Sequence, residues 1–468
     1  MTTLTMPTSE LDVFVLTFNA GKEHINPRVF ARHLRDAFSQ NATTLPDVVV
    51  FSLQEMAPLA NAFIGGSMIK PYFQSYTSAL NLATSESMSS QSGKPPYTLV
   101  HWHNVGMTGI MLFCHDRVSV LKLQSSVVGF GAGDMANKGA AGIRVHVSKE
   151  GQPRGRMQDT ELTFVSAHLA AMEWNLEKRN QNWRSIVSGL LFEDPRRLLD
   201  TPTVRATPRT PSHDSETDAL LEDDEREAAL QEISIYKPGS HLFVAGDLNY
   251  RISKTSPAPD SQFPDLDPNS PNYFARFLAQ DQLATEIKAG RTLHGLSEAA
   301  IKFPPTYKLE LEEGPASGRQ QNDADVVDWS WAKHRWPGWC DRVLYLDIPP
   351  WVDQATDKEK IEMKVMAYNS LPPVRTSDHR PVFLRIGVPL VGPSVLAPPD
   401  SIIKSDSTDP RVRLPYPVDP QAWEHRKFVK GWESVIGWSM LFSESRWGIA
   451  FFTTVLLVGL GTWWLRSK

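Results

Sequence analysis

Apolar positions in the first four-fifths of the chain fall into short β-branched runs bounded by polar turns. Leu11–Phe18, Asp47–Leu53, Thr108–Cys114, Ala141–Val147, Glu161–Ala167, His241–Ala245, Asp341–Leu346 and Val382–Ile386 each have the length and the Val, Ile, Leu and Phe content of a buried strand. Between them, apolar residues recur three and four apart, which predicts helices over Pro27–Ser39, Glu173–Phe192 and Asn272–Lys288. Such an alternation predicts an α/β fold of two packed sheets with helices outside.

Other stretches break the pattern. Residues 200–232 are rich in Thr, Pro, Ser and acid, carry too little apolar surface to fold, and are read as a disordered insertion looping out between two strands. Its Thr-Pro repeats are either phosphosites or plain solvated loop. Residues 312–328 are similarly polar, and a Pro-rich stretch from Gly387 to about Pro420 reads as an extended linker. Gln421–Ser445 then spaces Trp423, Phe428, Trp432, Val435, Ile436 and Met440 at near-helical intervals, with His425, Arg426, Lys427 and Lys430 among them. Two readings stay open: a helix lying on an anionic leaflet, or one folding onto the domain. Trp447–Leu465 has nineteen residues without a charge, enough at 1.5 Å per residue to cross roughly 28 Å of hydrocarbon. Trp447, Trp463 and Trp464 stand at its ends, where interfacial aromatics belong. The competing reading is a buried core helix, but one so uniformly apolar is uncommon at an extreme C-terminus. Only Arg466, Ser467 and Lys468 follow, which implies a tail anchor inserted after synthesis, with the rest of the chain left in the cytosol.

The 468 residues permit one large domain, expected over 11–390, with appendages: a polar stretch at 1–10, the linker and juxtamembrane segment at 391–446, and the anchor at 447–465. A net charge of -5 and a pI near 6.2 argue against general nucleic-acid binding, so any anionic ligand must meet a local basic pocket. Cys114 and Cys340 make no disulfide framework, as befits a reducing compartment. Met1–Leu11 has no apolar h-region, so no secretory signal is expected.

Two runs concentrate candidate chemistry: Val-Ala-Gly-Asp-Leu-Asn-Tyr-Arg-Ile at 244–252 and Ser-Asp-His-Arg-Pro at 377–381. Each adjoins an apolar strand, which sets Asp247, Asn249, Asp378 and His379 at a sheet rim facing one cleft. Six more islands accompany them: Thr-Phe-Asn at 17–19, Ser-Leu-Gln-Glu at 52–55, Asn-Lys-Gly at 137–139, Ser-Ala-His-Leu-Ala-Ala at 166–171, Phe-Pro-Pro-Thr-Tyr-Lys at 303–308 and Trp-Cys-Asp-Arg at 339–342. In this order, from about Val13 to Ile386, the islands resemble the inositol polyphosphate 5-phosphatase family, a branch of the endonuclease/exonuclease/phosphatase superfamily. The resemblance implies a four-layer sandwich of two packed mixed β-sheets flanked by helices. It also implies Mg2+-dependent removal of the 5-phosphate from an inositol phosphate.

Phosphate monoester hydrolysis needs neutralisation of the phosphoryl oxygens, a positioned water and stabilisation of the leaving alkoxide. Hard oxygen ligands hold Mg2+, and one or two carboxylates usually suffice. Glu55, at a strand end, is the first choice for the metal carboxylate. By resemblance Asn19 contacts the same ion or its water, and Asp378 faces the metal side. Asp247 and Asn249 sit two apart, which by strand alternation points both to one side. The resemblance has Asp247 position or deprotonate the water and Asn249 bind the scissile phosphate or metal. His379 needs a carboxylate behind it to fix its tautomer, and Asp341 is the family's match. His168 supplies a second imidazole, which in the family stabilises the phosphoryl group in the transition state. Tyr307, Lys308, Lys333 and Arg335 match the family's cluster that grips the inositol 4-phosphate, and the resemblance alone has Lys138 contact another substrate phosphate.

Each has a dull competitor. Asp-Leu-Asn after a strand is often an Asx turn, a buried His is often a satisfied core group, and lone basic residues are often solvated surface. Cys340 reads as packing, since no H-C-x5-R loop surrounds it. Where the family has Asn-Lys-Gly-Gly this chain has Ala140, which leaves Asn137 and Lys138 intact. The expected activity is on phosphatidylinositol 4,5-bisphosphate at the cytosolic face of an internal membrane, as in fungal-type members with such an anchor. The endoplasmic reticulum is the first choice and the mitochondrial outer membrane the second. Soluble inositol phosphate as substrate, a nuclease- or sphingomyelinase-like phosphodiesterase, and a silent lipid tether are the alternatives.

Overall fold

A computed structural model of the chain describes residues 9–85, 94–150, 157–199, 225–312, 327–352 and 361–466. Its strands are β1 Glu10–Asn19, β2 Val48–Gln54, β3 Tyr97–Val105, β4 Thr108–His115, β5 Val118–Gly129, β6 Gly139–Glu150, β7 Met157–His168, β8 His241–Asp247, β9 Leu296–Ser297, β10 Leu309–Leu311, β11 Trp329–Trp331, β12 Asp341–Leu346, β13 Lys364–Ser370 and β14 Val382–Pro389. The longer helices are α1 Pro27–Ser39, α2 Leu59–Ile64, α3 Lys70–Ala83, α4 Leu176–Gly189, α5 Gln282–Lys288, α6 Ala422–Glu444 and α7 Arg446–Arg466.

Two six-stranded sheets run β13-β14-β1-β2-β4-β3 and β5-β6-β7-β8-β12-β9. Only β1–β2 and β7–β8 pair in parallel, so both sheets are mixed. The period-2 alternation of β1 explains the layering. Leu11, Val13 and Val15 face the other sheet, where they meet Val145, Phe164, Phe243 and Val343, while Phe14, Leu16 and Phe18 face the opposite way. That outer side is covered by Phe30 and Leu34 of α1 and Phe73, Tyr76 and Leu80 of α3. On the second sheet Leu242 and Val244 play the same part under Trp183, Ile186 and Val187 of α4. The result is the expected four-layer sandwich, with the central strands of each sheet buried on both faces.

Several boundaries differ from expectation. Glu173–Asn175 and Leu190–Phe192 lie outside α4. The helix predicted over Asn272–Lys288 breaks at Asp281, whose carboxylate caps α5 by accepting from Ala284 N at 3.1 Å and also receives Arg342 Nη1 at 3.0 Å. Of the expected insertion, 200–224 lies outside the described residues, but 225–233 is helical, with Gln231 buried and donating to Pro410 O at 2.7 Å. The Pro-rich stretch is not a free linker. Trp351 Nε1 bonds Leu396 O at 3.0 Å, Arg411 Nη1 bonds Asp347 O at 2.8 Å and Asp419 N bonds Ser188 O at 2.9 Å, so this segment straps across the domain. Residues 313–326 and 1–8 lie outside the described residues.

Candidate active site

The register of one sheet builds half of the site. His168 ends β7, Asp247 ends β8 and Asp341 begins β12, and Asp247 is the cross-strand partner of both His168 and Asp341. Gly139, the partner of His168 on the far side, brings Lys138 to the same row. The other sheet contributes Asn19 at the end of β1, Glu55 just past β2, and Asp378 and His379 just before β14. Between the two sheet ends lies a cleft of about 400 Å³. Gly21 adopts φ +65°, and a Cβ there would sit 2.1 Å from Thr376 O, so only glycine lets the β1–α1 loop close on the Thr376–His379 turn.

The contacts are specific. His379 Nδ1 lies 2.8 Å from Asp341 Oδ2, which also accepts from Thr306 Oγ1 at 2.7 Å. Its Nε2 is 3.9 Å from Asp247 Oδ2. That same oxygen accepts from Asn19 Nδ2 at 3.0 Å and meets His168 Nε2 at 3.2 Å. Lys138 Nζ touches His168 and Lys22 Nζ lies 3.0 Å from Glu55 Oε2. Lys308 Nζ pairs with Asp378. Glu55 and Asn249 both hold left-handed backbone, with φ 44° and 57°, a conformation that non-glycine residues adopt where surrounding structure imposes it.

The description of Endonuclease/Exonuclease/phosphatase family 2 matches residues 16–385, from within β1 to within β14, and so takes in both sheets and every element of the cleft. The chain belongs to this family. Among curated relatives it is similar to inositol-1,4,5-trisphosphate 5-phosphatase 1 of Schizosaccharomyces pombe, 27% identical over 292 residues, 62% of this chain and 20% of that protein. It is likewise similar to the type II inositol 1,4,5-trisphosphate 5-phosphatase of Mus musculus, 27% identical over 373 residues, 78% of this chain and 29% of that one. The chain thus spans less than a third of the length of these relatives. A crystal structure of the inositol polyphosphate 5-phosphatase domain of a synaptojanin, in complex with inositol 1,4-bisphosphate and calcium, matches with a TM-score of 0.51 at 22% identity, over 82% of this chain and 85% of that one. At that identity the likeness bears on the fold.

Electrostatics in the cleft comes from acidic and basic groups set directly against one another. Burial opposes the charged form of Asp247, but His379, His168 and Lys138 outweigh it and hold the carboxyl well below its usual range. Burial likewise works against the charge on His379, yet Asp341 and Asp247 push its pKa up to about 9. Burial raises the Asp341 carboxyl, which taken alone runs against an ion pair with His379. The 2.8 Å contact and the second carboxylate favour the imidazolium. Glu55, despite burial, is kept below its ordinary value by His168, Lys138 and Lys22. His168 and Lys138 are both pushed down, first by burial; Lys138 adds to the effect on His168, and Asp247 and Glu55 oppose it.

Hard oxygens suited to Mg2+ converge here. Glu55 presents a carboxylate, Asn19 an amide oxygen, and Asp247 Oδ1 is buried with no hydrogen-bond partner, an orphan that a cation or its water shell satisfies. Asp247, Asp341 and His379 also cluster closely enough to hold an ion. Because Nδ1 of His379 is engaged by Asp341, that trio is better described as an imidazole clasped between carboxylates.

Ten of the expected residues line the cleft: Asn19, Glu55, Lys138, His168, Asp247, Asn249, Tyr307, Lys308, Asp378 and His379. Asp341 stands behind His379. The Asn249 amide is engaged on both sides, donating to Leu169 O at 3.1 Å and accepting from Arg251. Lys333 and Arg335 do not line the cleft. Lys333 is exposed, and Arg335 Nη1 is held 3.2 Å from Glu173 Oε2. Cys340 is fully buried and its thiol is pushed well up by burial, which fits packing. Sequence reasoning missed Arg251 and Lys22, both in the cleft. Arg251 stacks 4.3 Å over the Tyr307 ring, which in turn lies 4.6 Å from the His379 ring. It stands in the Asp-Leu-Asn-Tyr-Arg run, four residues after Asp247, and that spacing was the signal available.

Proposed function

We propose that this chain removes the 5-phosphate of phosphatidylinositol 4,5-bisphosphate, giving phosphatidylinositol 4-phosphate, with Mg2+ as cofactor, at the cytosolic face of a membrane spanned by α7. One observation carries the reading: the cleft that holds the Asp247–His379–Asp341 unit also holds Lys138, Arg251 and Lys308, more cationic groups than one scissile phosphate requires. A second phosphate on the substrate is their natural counterpart. The two relatives, both named as 5-phosphatases of inositol 1,4,5-trisphosphate, point the same way.

In this mechanism Asp247, charged and fixed by Asn19 and His168, offers Oδ1 to orient the attacking water. Its depressed pKa makes it an orienting group first and a proton acceptor only as the new P–O bond forms. Imidazolium His379, held by Asp341, donates from Nε2 to a phosphoryl oxygen as charge builds there. His168, backed by Lys138, contacts the same phosphoryl group. Lys308 and Arg251 bind the neighbouring 4-phosphate, and Tyr307 holds the Arg251 guanidinium in place. Glu55, with Asn19 and Asp378 nearby, would hold Mg2+, which when bound would stabilise the leaving alkoxide.

The membrane proposed is the endoplasmic reticulum, with the mitochondrial outer membrane as the second reading; colocalisation of the tagged full chain with markers of each separates them. Activity is tested by phosphate release from a panel of phosphoinositides, soluble inositol trisphosphate and a phosphodiester, each with and without Mg2+. Mg2+-dependent release confined to 5-phosphorylated inositols is expected. Diester cleavage without monoester turnover would move the chain to the phosphodiesterase branch.

A further inference from the structure

Helix α6 has two unlike faces. Val429, Glu433 and Gly437, one turn apart, are buried against the domain. Phe428, Trp432, Val435, Trp438 and Phe442 are 47% to 68% exposed, and at 100° per residue they fall on the opposite side. An apolar strip of this size on a surface helix marks a contact with something. What it contacts is indicated by the chain itself: α7 begins two residues after α6 ends and is the one described helix long and apolar enough to cross a bilayer, with 6% of that window covered by the rest of the structure.

The inner face ties α6 to the cleft. Glu433, fully buried, accepts at 2.8 Å from the N–H of Ala136, two residues before Lys138, and pairs with Arg426. Ala136 O accepts from Met107 N at 3.4 Å, and Met107 O from Met56 N at 3.1 Å, next to Glu55. Lys430 Nζ caps Phe63 O of α2 at 2.8 Å. A Cβ at Gly437 would meet Ala60 O at 2.9 Å, so glycine permits the close approach. The loops gripped by α6 are therefore those that leave the cleft at Lys138 and Glu55.

We infer that α6 lies flat in the leaflet that α7 enters, its Phe428–Trp432–Val435–Trp438–Phe442 face among the lipids, and so sets the distance and tilt of the cleft over its lipid substrate. This rests on the proposed membrane-spanning role of α7. It adds a second, in-plane contact that fixes orientation, which a single spanning helix leaves free to swivel.

The test uses the full chain reconstituted in phosphatidylcholine vesicles. Cys114 and Cys340 are buried, so Val435→Cys, Val455→Cys and Leu266→Cys each take a nitroxide label selectively. Collisions with oxygen and with a water-soluble nickel reagent are then compared. Oxygen should prevail at 455 and 435, and the nickel reagent at 266, which is exposed far from α6 in the chain. Lipid exposure at 455 with an aqueous 435 overturns the inference alone; aqueous signals at both remove the anchor as well. Protection of 435 from both reagents that vanishes on dilution would assign the face to a second copy and overturn the inference. Functionally, Trp432→Ser/Trp438→Ser should lower turnover of bilayer-embedded substrate roughly tenfold through lost interfacial burial, with short-chain soluble substrate hydrolysed at the parent rate. Equal loss on both substrates, or on neither, contradicts it.

Discussion

His379 Nδ1 is 2.8 Å from Asp341 Oδ2 while its Nε2 faces Asp247 Oδ2 at 3.9 Å, so one imidazole is clasped between two buried carboxylates. The clasp raises the His379 pKa from its ordinary 6.5 to about 9. The paired, protonated form is thus complete below the ordinary value and is lost as pH rises through about 9, and both the stabilisation it gives the fold and its activity follow that sign. Turnover should hold across neutral pH and fall on the alkaline side near 9. Asp341→Asn removes the main force raising the imidazole, so its alkaline limb should move to lower pH. A limb unmoved in that variant would separate the dyad from catalysis.

Asp247→Ala and His379→Ala should each lower kcat by roughly 10²–10⁴-fold, the usual contribution of a positioned acid, base or orienting group. The far-ultraviolet circular dichroism of the purified variants should match the parent. A kcat within a few-fold of the parent would place the chemistry elsewhere.

Lys308→Ala and Arg251→Ala should weaken selection for a 4-phosphorylated substrate. A charge-assisted hydrogen bond contributes about 1.5–3 kcal/mol, or roughly 10- to 150-fold in kcat/KM. The readout is the ratio of kcat/KM for the 4,5-bisphosphate to that for a 5-monophosphate. Arg335→Ala, which removes a guanidinium already paired with Glu173, should move this ratio less than Lys308→Ala.

The sequence revealed the interior of each sheet and not its margins. The runs legible as strands became β14, β1, β2 and β4 of one sheet and β6, β7, β8 and β12 of the other, all flanked on both sides. Of the strands that escaped, β3, β5, β9 and β13 are the four edges of these sheets, and the three-residue β10 and β11 pair only with each other. Edge strands are half solvated, and β3 carries His101, His103 and Asn104 while β5 carries Lys122, Gln124, Ser125 and Ser126, which dilutes the apolar signal. The same logic holds at the site. Residues at strand ends, such as His168, Asp247 and Asp341, are placed by register and were legible. Lys22 and Arg251 sit in loops whose course depends on tertiary contacts, and Lys333 and Arg335 matched a motif, but Lys333 is exposed and Arg335 is engaged by Glu173.

The anchor makes its own prediction. If α7 spans a bilayer, the full chain should remain in the pellet after alkaline carbonate extraction, because the apolar burial of about 19 residues makes insertion effectively irreversible. Release into the supernatant would show that α7 does not span. Deleting Trp447–Lys468 should leave soluble-substrate turnover intact, since every cleft residue precedes Pro381.

The most direct measurement identifies the product. Phosphatidylinositol 4,5-bisphosphate in mixed vesicles is incubated with the full chain and Mg2+, and the monophosphate formed is resolved by headgroup position. The account predicts phosphatidylinositol 4-phosphate from the parent and none above background from Asp247→Ala. Phosphatidylinositol 5-phosphate, or equal product from both proteins, would contradict it.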